Sequence, residues 1–352
     1  MEKKTKKALV AALGVATGGV GAVTIAAHMA VYDKAFSRYD RPDYSLMAGM
    51  YNIEKYSSLK RELISYPSDD VLLQGYYYKA NKPKGLVIFA HGIHSGADDY
   101  LPIVSYLLDN KYSVFAFDYK GTYDSEGDSC VGMCESLVDL DNTLTYLNKD
   151  VRFKELNKFL IGHSWGGYAV TSVLSLHDEI KACASIAGLN DGYTMIYEKG
   201  SQYAGKLALL SKPFLDVYQR YLFKDYVEYN AIKGINKNNI PILIAHGVDD
   251  EVISYNLQSI IAQKEKITNP NVIYYIGKGV LGKHNSIWHS IESYIYQQEV
   301  KSELKYKEFE KGSELTDKEK QVFYKEVDHK LYSEINKELF DLIIKMFNNT
   351  SK

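Results

Sequence analysis

Short, nearly uninterrupted apolar runs recur along this chain: Leu86–Ala90, Ser113–Phe117, Phe159–Ile161, Ala182–Ala187, Ile242–Ala245 and Val272–Ile276. A strand that is apolar at successive positions, rather than at alternate ones, has to be covered on both faces. Helices packed on either side of a sheet provide that cover. The intervening stretches Tyr100–Leu108, Cys134–Leu147, Trp165–Leu176 and Asn256–Lys264 read as helical. The fold class that follows is α/β, with a mainly parallel sheet and helices on both faces. Two earlier runs, Leu63–Tyr66 and Val71–Tyr78, read as an opening pair of strands.

Two segments break this rhythm. Residues 190–239 are too long for a simple crossover and are rich in tyrosine and phenylalanine, which suits an inserted helical cap. Glu299–Lys320 is densely charged and reads as a solvated helical excursion, ahead of a last amphipathic helix over about Phe323–Phe347.

The N-terminus has a character of its own. Ala8–Ala30 contains no Asp, Glu, Lys or Arg. As a helix it spans roughly 30 Å, the hydrocarbon thickness of a bilayer. Lys3, Lys4, Lys6 and Lys7 precede it, and only Lys34, Arg38 and Arg41 follow closely. The expectation is a single N-terminal transmembrane helix with its N-terminus in the cytoplasm and the rest of the chain on the extracytoplasmic side. A cleaved signal peptide is the competing reading, but the apolar run is long for one, and Met29 and Tyr32 suit a cleavage site poorly.

Composition removes other classes. The formal net charge is -2, with no basic excess to neutralise phosphates, so no nucleic-acid partner is expected. Three cysteines cannot build a disulfide framework, and no Cys/His spacing matches a zinc site. Cys130 and Cys134 read as unpaired thiols, and no metal or organic cofactor is expected.

The chemistry is concentrated after three of the strands. Phe159–Ile161 runs into Gly162-His163-Ser164-Trp165-Gly166-Gly167, a G-x-S-x-G turn between strand and helix. A serine hydroxyl needs a base, and the base needs an orienting carboxylate. Downstream, Ile242–Ala245 ends in His246-Gly247-Val248-Asp249-Asp250-Glu251-Val252, and Val272–Ile276 leads to Gly282-Lys283-His284-Asn285. Asp249 and Asp250 compete for the acid, with the spacing favouring Asp250. His284 is preferred over His289 as base. His91, His94, His163 and His246 read as structural polar partners. Upstream, Leu86–Ala90 ends in His91-Gly92-Ile93-His94, a turn able to offer the backbone N–H of Ile93 to an oxyanion, opposite that of Trp165.

These motifs resemble the α/β-hydrolase superfamily from about Arg61 to Phe347, through HG after the third strand, GHSWGG, HGVDDEV and GKHN. Asp118-Tyr119-Lys120-Gly121-Thr122-Tyr123-Asp124-Ser125 looks like the family's D-x-R-G-x-G-x-S loop, with Lys120 in place of Arg and Tyr123 in place of Gly. Within the superfamily the chain is most similar to bacterial membrane-anchored serine hydrolases of the serine-aminopeptidase and monoacylglycerol-lipase-like group.

The resemblance implies Ser164 as nucleophile, Asp250 as acid and His284 as base. It implies hydrolysis of a small-molecule ester, or of a thioester or amide, through an acyl-enzyme. An acyltransferase, an aminopeptidase and an inactive membrane-anchored binding module are the other readings. The expected organisation is an anchor over 1–32, a tether over 33–60, and a hydrolase domain over 61–352 with the cap at about 190–239.

Overall fold

The computed structural model describes residues 29–30, 32–196 and 208–350. Eight strands form one sheet: β1 (Glu62–Ser68), β2 (Val71–Tyr78), β3 (Leu86–Ala90), β4 (Ser113–Phe117), β5 (Lys158–His163), β6 (Ile180–Ile186), β7 (Ile242–Gly247) and β8 (Val272–Gly277). Their order is β1-β2-β4-β3-β5-β6-β7-β8. β2 runs antiparallel to both β1 and β4, and every pairing from β4 to β8 is parallel.

The uninterrupted apolar runs are explained by the two cores they serve. Along β3, Leu86, Ile88 and Ala90 face one core while Val87 and Phe89 face the other. The first core is closed by α2 (Glu135–Lys149) and α3 (Trp165–Ser172), through Leu137, Leu140, Leu144 and Val170. The second is closed by α1 (Leu101–Asp109) and by the last helix, through Leu101, Val104, Phe340 and Phe347.

Between β6 and β7 the chain forms α4 (Ala208–Phe223), a 3-10 turn over Lys224–Glu228, and α5 (Ala231–Lys237). α5 belongs to the body rather than to a cap: a Cβ on Gly234 would stand 1.9 Å from the Thr171 carbonyl oxygen of α3's C-terminal turn. The charged excursion is α6 (Ile291–Lys311) followed by α7 (Asp317–Lys325). It is only partly solvated, since Val300, Phe323 and Val327 enclose Ala48 from the N-terminal segment.

Three further local expectations differ from the structure. Asn256–Lys264 is not an α-helix; a 3-10 segment over Ile261–Lys266 follows a turn instead. The last helix is broken into the end of α7, a short α8 (His329–Tyr332) and α9 (Lys337–Thr350). The break follows from Asp328, whose side chain accepts from the N–H groups of Lys330 and Leu331 and starts a new helix there. An isolated bridge between Ile335 and His289 then holds the chain extended.

The segment read as a tether is the third, and it is part of the folded body. Ser37 bridges to Ser129, and Tyr39 to Thr122. Arg41 and Arg61 both pair with the buried Asp98. The anchor expected over 1–32 lies almost wholly outside the described residues. Among those described, no helix is long and apolar enough to cross a membrane.

Candidate active site

β5 delivers Ser164 at its C-terminal end, in a backbone conformation that a side chain rarely adopts: φ 57°, ψ −113°. The turn is tight enough to exclude Cβ atoms around it. One on Gly162 would lie 2.2 Å from the Gly166 carbonyl oxygen, and one on Gly166 would lie 2.0 Å from that of Ala90. Glycine at both positions lets β3, β5 and α3 converge beneath the serine.

His284 follows β8 and meets Ser164 from the side. The Ser164 hydroxyl lies 2.9 Å from His284 Nε2, and His284 Nδ1 lies 2.7 Å from Asp250 Oδ2. All three side chains are buried. With Asp250 ionised, Nδ1–H donates to it, leaving Nε2 free to accept the serine proton.

Asp250 is held in place by the turn after β7. Its Oδ1 accepts the N–H groups of Val252 and Ile253 at 2.9 and 2.8 Å. His246 Nε2 approaches its Oδ2 to 3.2 Å. Burial pushes the Asp250 carboxyl up, but the hydrogen bonds from His246 and His284 outweigh it and hold it well below the usual carboxylate range. The neighbouring Asp249 points elsewhere: a Cβ on Gly282 would lie 3.0 Å from its Oδ2.

The turn after β3 abuts the serine, since a Cβ on Gly92 would stand 3.5 Å from that of Ser164. Ile93 lies in that turn, and Trp165 is at the first position of α3. A first-turn N–H has no partner within its own helix.

Sequence reasoning missed the residue that joins these parts. Tyr100, from the start of α1, accepts the Gly92 N–H at 3.1 Å, and its hydroxyl lies 2.8 Å from His163 Nδ1. His163 Nε2 reaches the His284 carbonyl at 3.4 Å. Burial holds His163 neutral by pushing it down to about 3. One network thus ties the turn after β3, the serine turn and the His284 loop. No motif marks Tyr100, and only its tertiary position gives it this part.

The other histidines are placed as partners. His91 Nε2 accepts the Tyr119 N–H at 3.2 Å, and exposed His94 lies 2.9 Å from the Ala35 carbonyl. His289 stacks on Trp288, with ring centroids 3.7 Å apart, away from the serine–histidine pair. Cys130 and Cys134 are free and buried.

The loop of Asp118–Ser125 shows how its departures are absorbed. Tyr123, standing where the family has Gly, takes φ 36°. Its N–H donates to the Tyr39 carbonyl at 2.9 Å and its hydroxyl to Asp99 at 2.7 Å. The Arg38 guanidinium donates to the carbonyls of Tyr123, Ser125 and Gly127 at 2.6, 3.0 and 2.8 Å.

Residues 81–232 match the family described as serine aminopeptidase, S33. The chain is 27% identical over 171 residues to the protein YfhR of Salmonella typhi, covering 48% of this chain and 55% of that one. It is 26% identical over 219 residues to the lysophosphatidylserine lipase ABHD12 of Danio rerio, covering 58% of this chain and 55% of that protein. The chain thus spans little more than half the length of these relatives. Among solved structures it is similar to the esterase Pf2001 of Pyrococcus furiosus, with a TM-score of 0.53 and 21% identity over 75% of this chain and 96% of that one. That likeness is one of fold. The strand order, the serine turn after β5 and that likeness give this chain the α/β-hydrolase fold, within which residues 81–232 are similar to the serine aminopeptidase family.

Proposed function

We propose that the protein is a serine hydrolase that cleaves an acyl ester through an acyl-enzyme intermediate. The observation that carries this reading is the buried line from Ser164 through His284 to Asp250, at 2.9 and 2.7 Å, with the serine on a strained turn. His284 Nε2 takes the hydroxyl proton as Ser164 Oγ attacks the substrate carbonyl. The N–H groups of Ile93 and Trp165 receive the developing oxyanion. Asp250 holds the imidazole in the tautomer that accepts at Nε2 and balances its charge once protonated. The leaving alcohol takes that proton, and water completes the cycle with His284 again as base.

The relative named a lipase supports an ester, while the name of the matched family supports a peptide or amide. A panel of p-nitrophenyl esters of rising chain length, run beside aminoacyl amides, separates the two. Added alcohols as acceptors separate hydrolysis from acyl transfer. The chemistry itself is tested with a fluorophosphonate probe: the wild type is labelled, and Ser164→Ala is not. Labelling that persists in the variant, or is absent from the wild type, refutes the assignment.

We further propose that Ala8–Ala30 anchors the enzyme in a bilayer with the catalytic body on the extracytoplasmic side. Its length and its basic N-terminal flank support this.

A further inference from the structure

We infer that the outer face of α4 docks on the lipid surface, so that the enzyme draws its ester from the membrane that anchors it. The inference rests on the anchor proposed above and adds what the tertiary structure contributes to it.

The apolar run ends at Ala30, and Tyr32 is already packed on α4. Tyr32 is buried, its ring 5.6 Å from that of Tyr218 in an edge-on contact, and Gln219 Nε2 donates to its hydroxyl at 3.1 Å. Gly132 admits the ring, since a Cβ there would stand 1.6 Å from the tyrosine oxygen. Two residues along the chain span at most about 7 Å even when fully extended. A bilayer holding Ala8–Ala30 therefore has α4 at its surface, with no slack to carry the body away.

α4 is built for that position. Tyr218, Gln219 and Phe223 turn inwards and are buried. Pro213, Val217 and Tyr221 are exposed, and their spacing of four places them in one stripe. Val217 is 48% and Tyr221 46% exposed, an apolar and aromatic surface on the outer side of the helix. Tyrosine is favoured at the headgroup level, and apolar area gains about 25 cal/mol per Å² on leaving water. Lys212, Arg220 and Lys224 flank the stripe against Asp216 and Asp225, and Arg220 is already paired with Glu228 at 2.6 Å. The contact is thus apolar first and calls for no anionic lipid.

The same helix lies one layer from the nucleophile. Phe223 packs on Cys134 and Val138, and the carbonyl of the adjoining Met133 accepts Trp165 Nε1 at 2.7 Å. The docked face is thus one packed layer away from the serine turn. The substrate class this implies is an ester whose acyl chain resides in the bilayer.

The test uses the full chain in phosphatidylcholine vesicles, with an environment-sensitive fluorophore attached at Val217→Cys or, as a control, at Phe309→Cys. Phe309 is 82% exposed on α6, remote from α4 in the chain, and the native thiols are buried and unreactive. Protein that floats with the vesicles should show a blue-shifted probe on α4 that doxyl-labelled lipid quenches, and a water-like, unquenched probe on α6. Floating protein with two water-like probes overturns the docking and leaves the anchor standing. Protein that does not float overturns the anchor, and the docking with it. In the second readout, the double variant Val217→Asp, Tyr221→Asp should lower hydrolysis of a vesicle-embedded ester several-fold relative to a soluble short-chain ester. Equal rates on both substrates, or an equal loss on both, contradict the inference.

Discussion

Asp249 and Asp250 stand side by side after β7, and adjacent residues on a turn cannot both face one imidazole. Asp250 takes the place because the N–H groups of Val252 and Ile253 fix one of its oxygens and leave the other for His284. Asp250→Asn keeps the shape but loses the acceptor that selects the tautomer. It should lower kcat by roughly 10⁴-fold with little change in KM. Asp249→Asn, measured in parallel, should stay near the wild-type rate. A second residue-scale prediction concerns His177, which bridges Asp141 at 2.7 Å and Glu179 at 2.9 Å. Burial alone would lower its pKa, but the two carboxylates outweigh that and raise it to about 9. An imidazole raised on folding adds stability that is complete below its unfolded value of about 6.5 and is lost as pH rises through the folded value. Unfolding free energy should therefore fall by on the order of 2 kcal/mol between about pH 6.5 and 9.5, and His177→Gln should remove that slope. Chemical denaturation across this range checks it. The spacing in the sequence favours Asp250, whereas the His177 bridge leaves no trace there, because Asp141, His177 and Glu179 belong to no motif.

At the scale of elements, the segment after the apolar run is the least expected part of the molecule. It was legible only as a connection, because its sequence has no apolar period that would mark a strand or helix. Its contacts are made by side chains instead: Arg38 reaches three carbonyls of the loop after β4, and Arg41 pairs with Asp98 and Asp124. The substitutions in that loop, Lys120 and Tyr123, were readable as departures from the family pattern. Their compensation was not, since Arg38 lies 85 residues from Tyr123 in the chain. Arg38→Ala leaves three carbonyls to find water and should cost about 1–3 kcal/mol, read as a lowered Tm. A protein beginning at Tyr32 should hydrolyse soluble esters, whereas one beginning at Arg61 should be unstable or insoluble. Equal stability of the two would show that the segment is an appendage after all.

On the scale of the whole molecule, two cores share one sheet, and the second depends on the C-terminus. Leu339, Phe340, Ile343 and Phe347 of α9 are fully buried against it. Phe347 touches both Tyr112 and Phe159, with ring centroids 5.8 and 4.6 Å away. Phe347→Ala should destabilise the fold by about 3–5 kcal/mol through the cavity it leaves, seen as a lower denaturation midpoint with an unchanged slope.

The layered architecture was legible because a doubly covered parallel strand leaves a signal within its own few residues. The serine turn was legible for a related reason: a strained, crowded turn demands glycine at set spacings. By itself, then, the chain's sequence determined the sheet, its order of chemistry-bearing turns and the residue types that meet there. Only the tertiary structure decided how Asp250, which the spacing favours, is fixed against His284, that Tyr100 and His163 join the three turns, and that Tyr32 seats the N-terminal chain on α4. Those outcomes depend on contacts between residues far apart in the chain, for which local periodicity and spacing carry no signal.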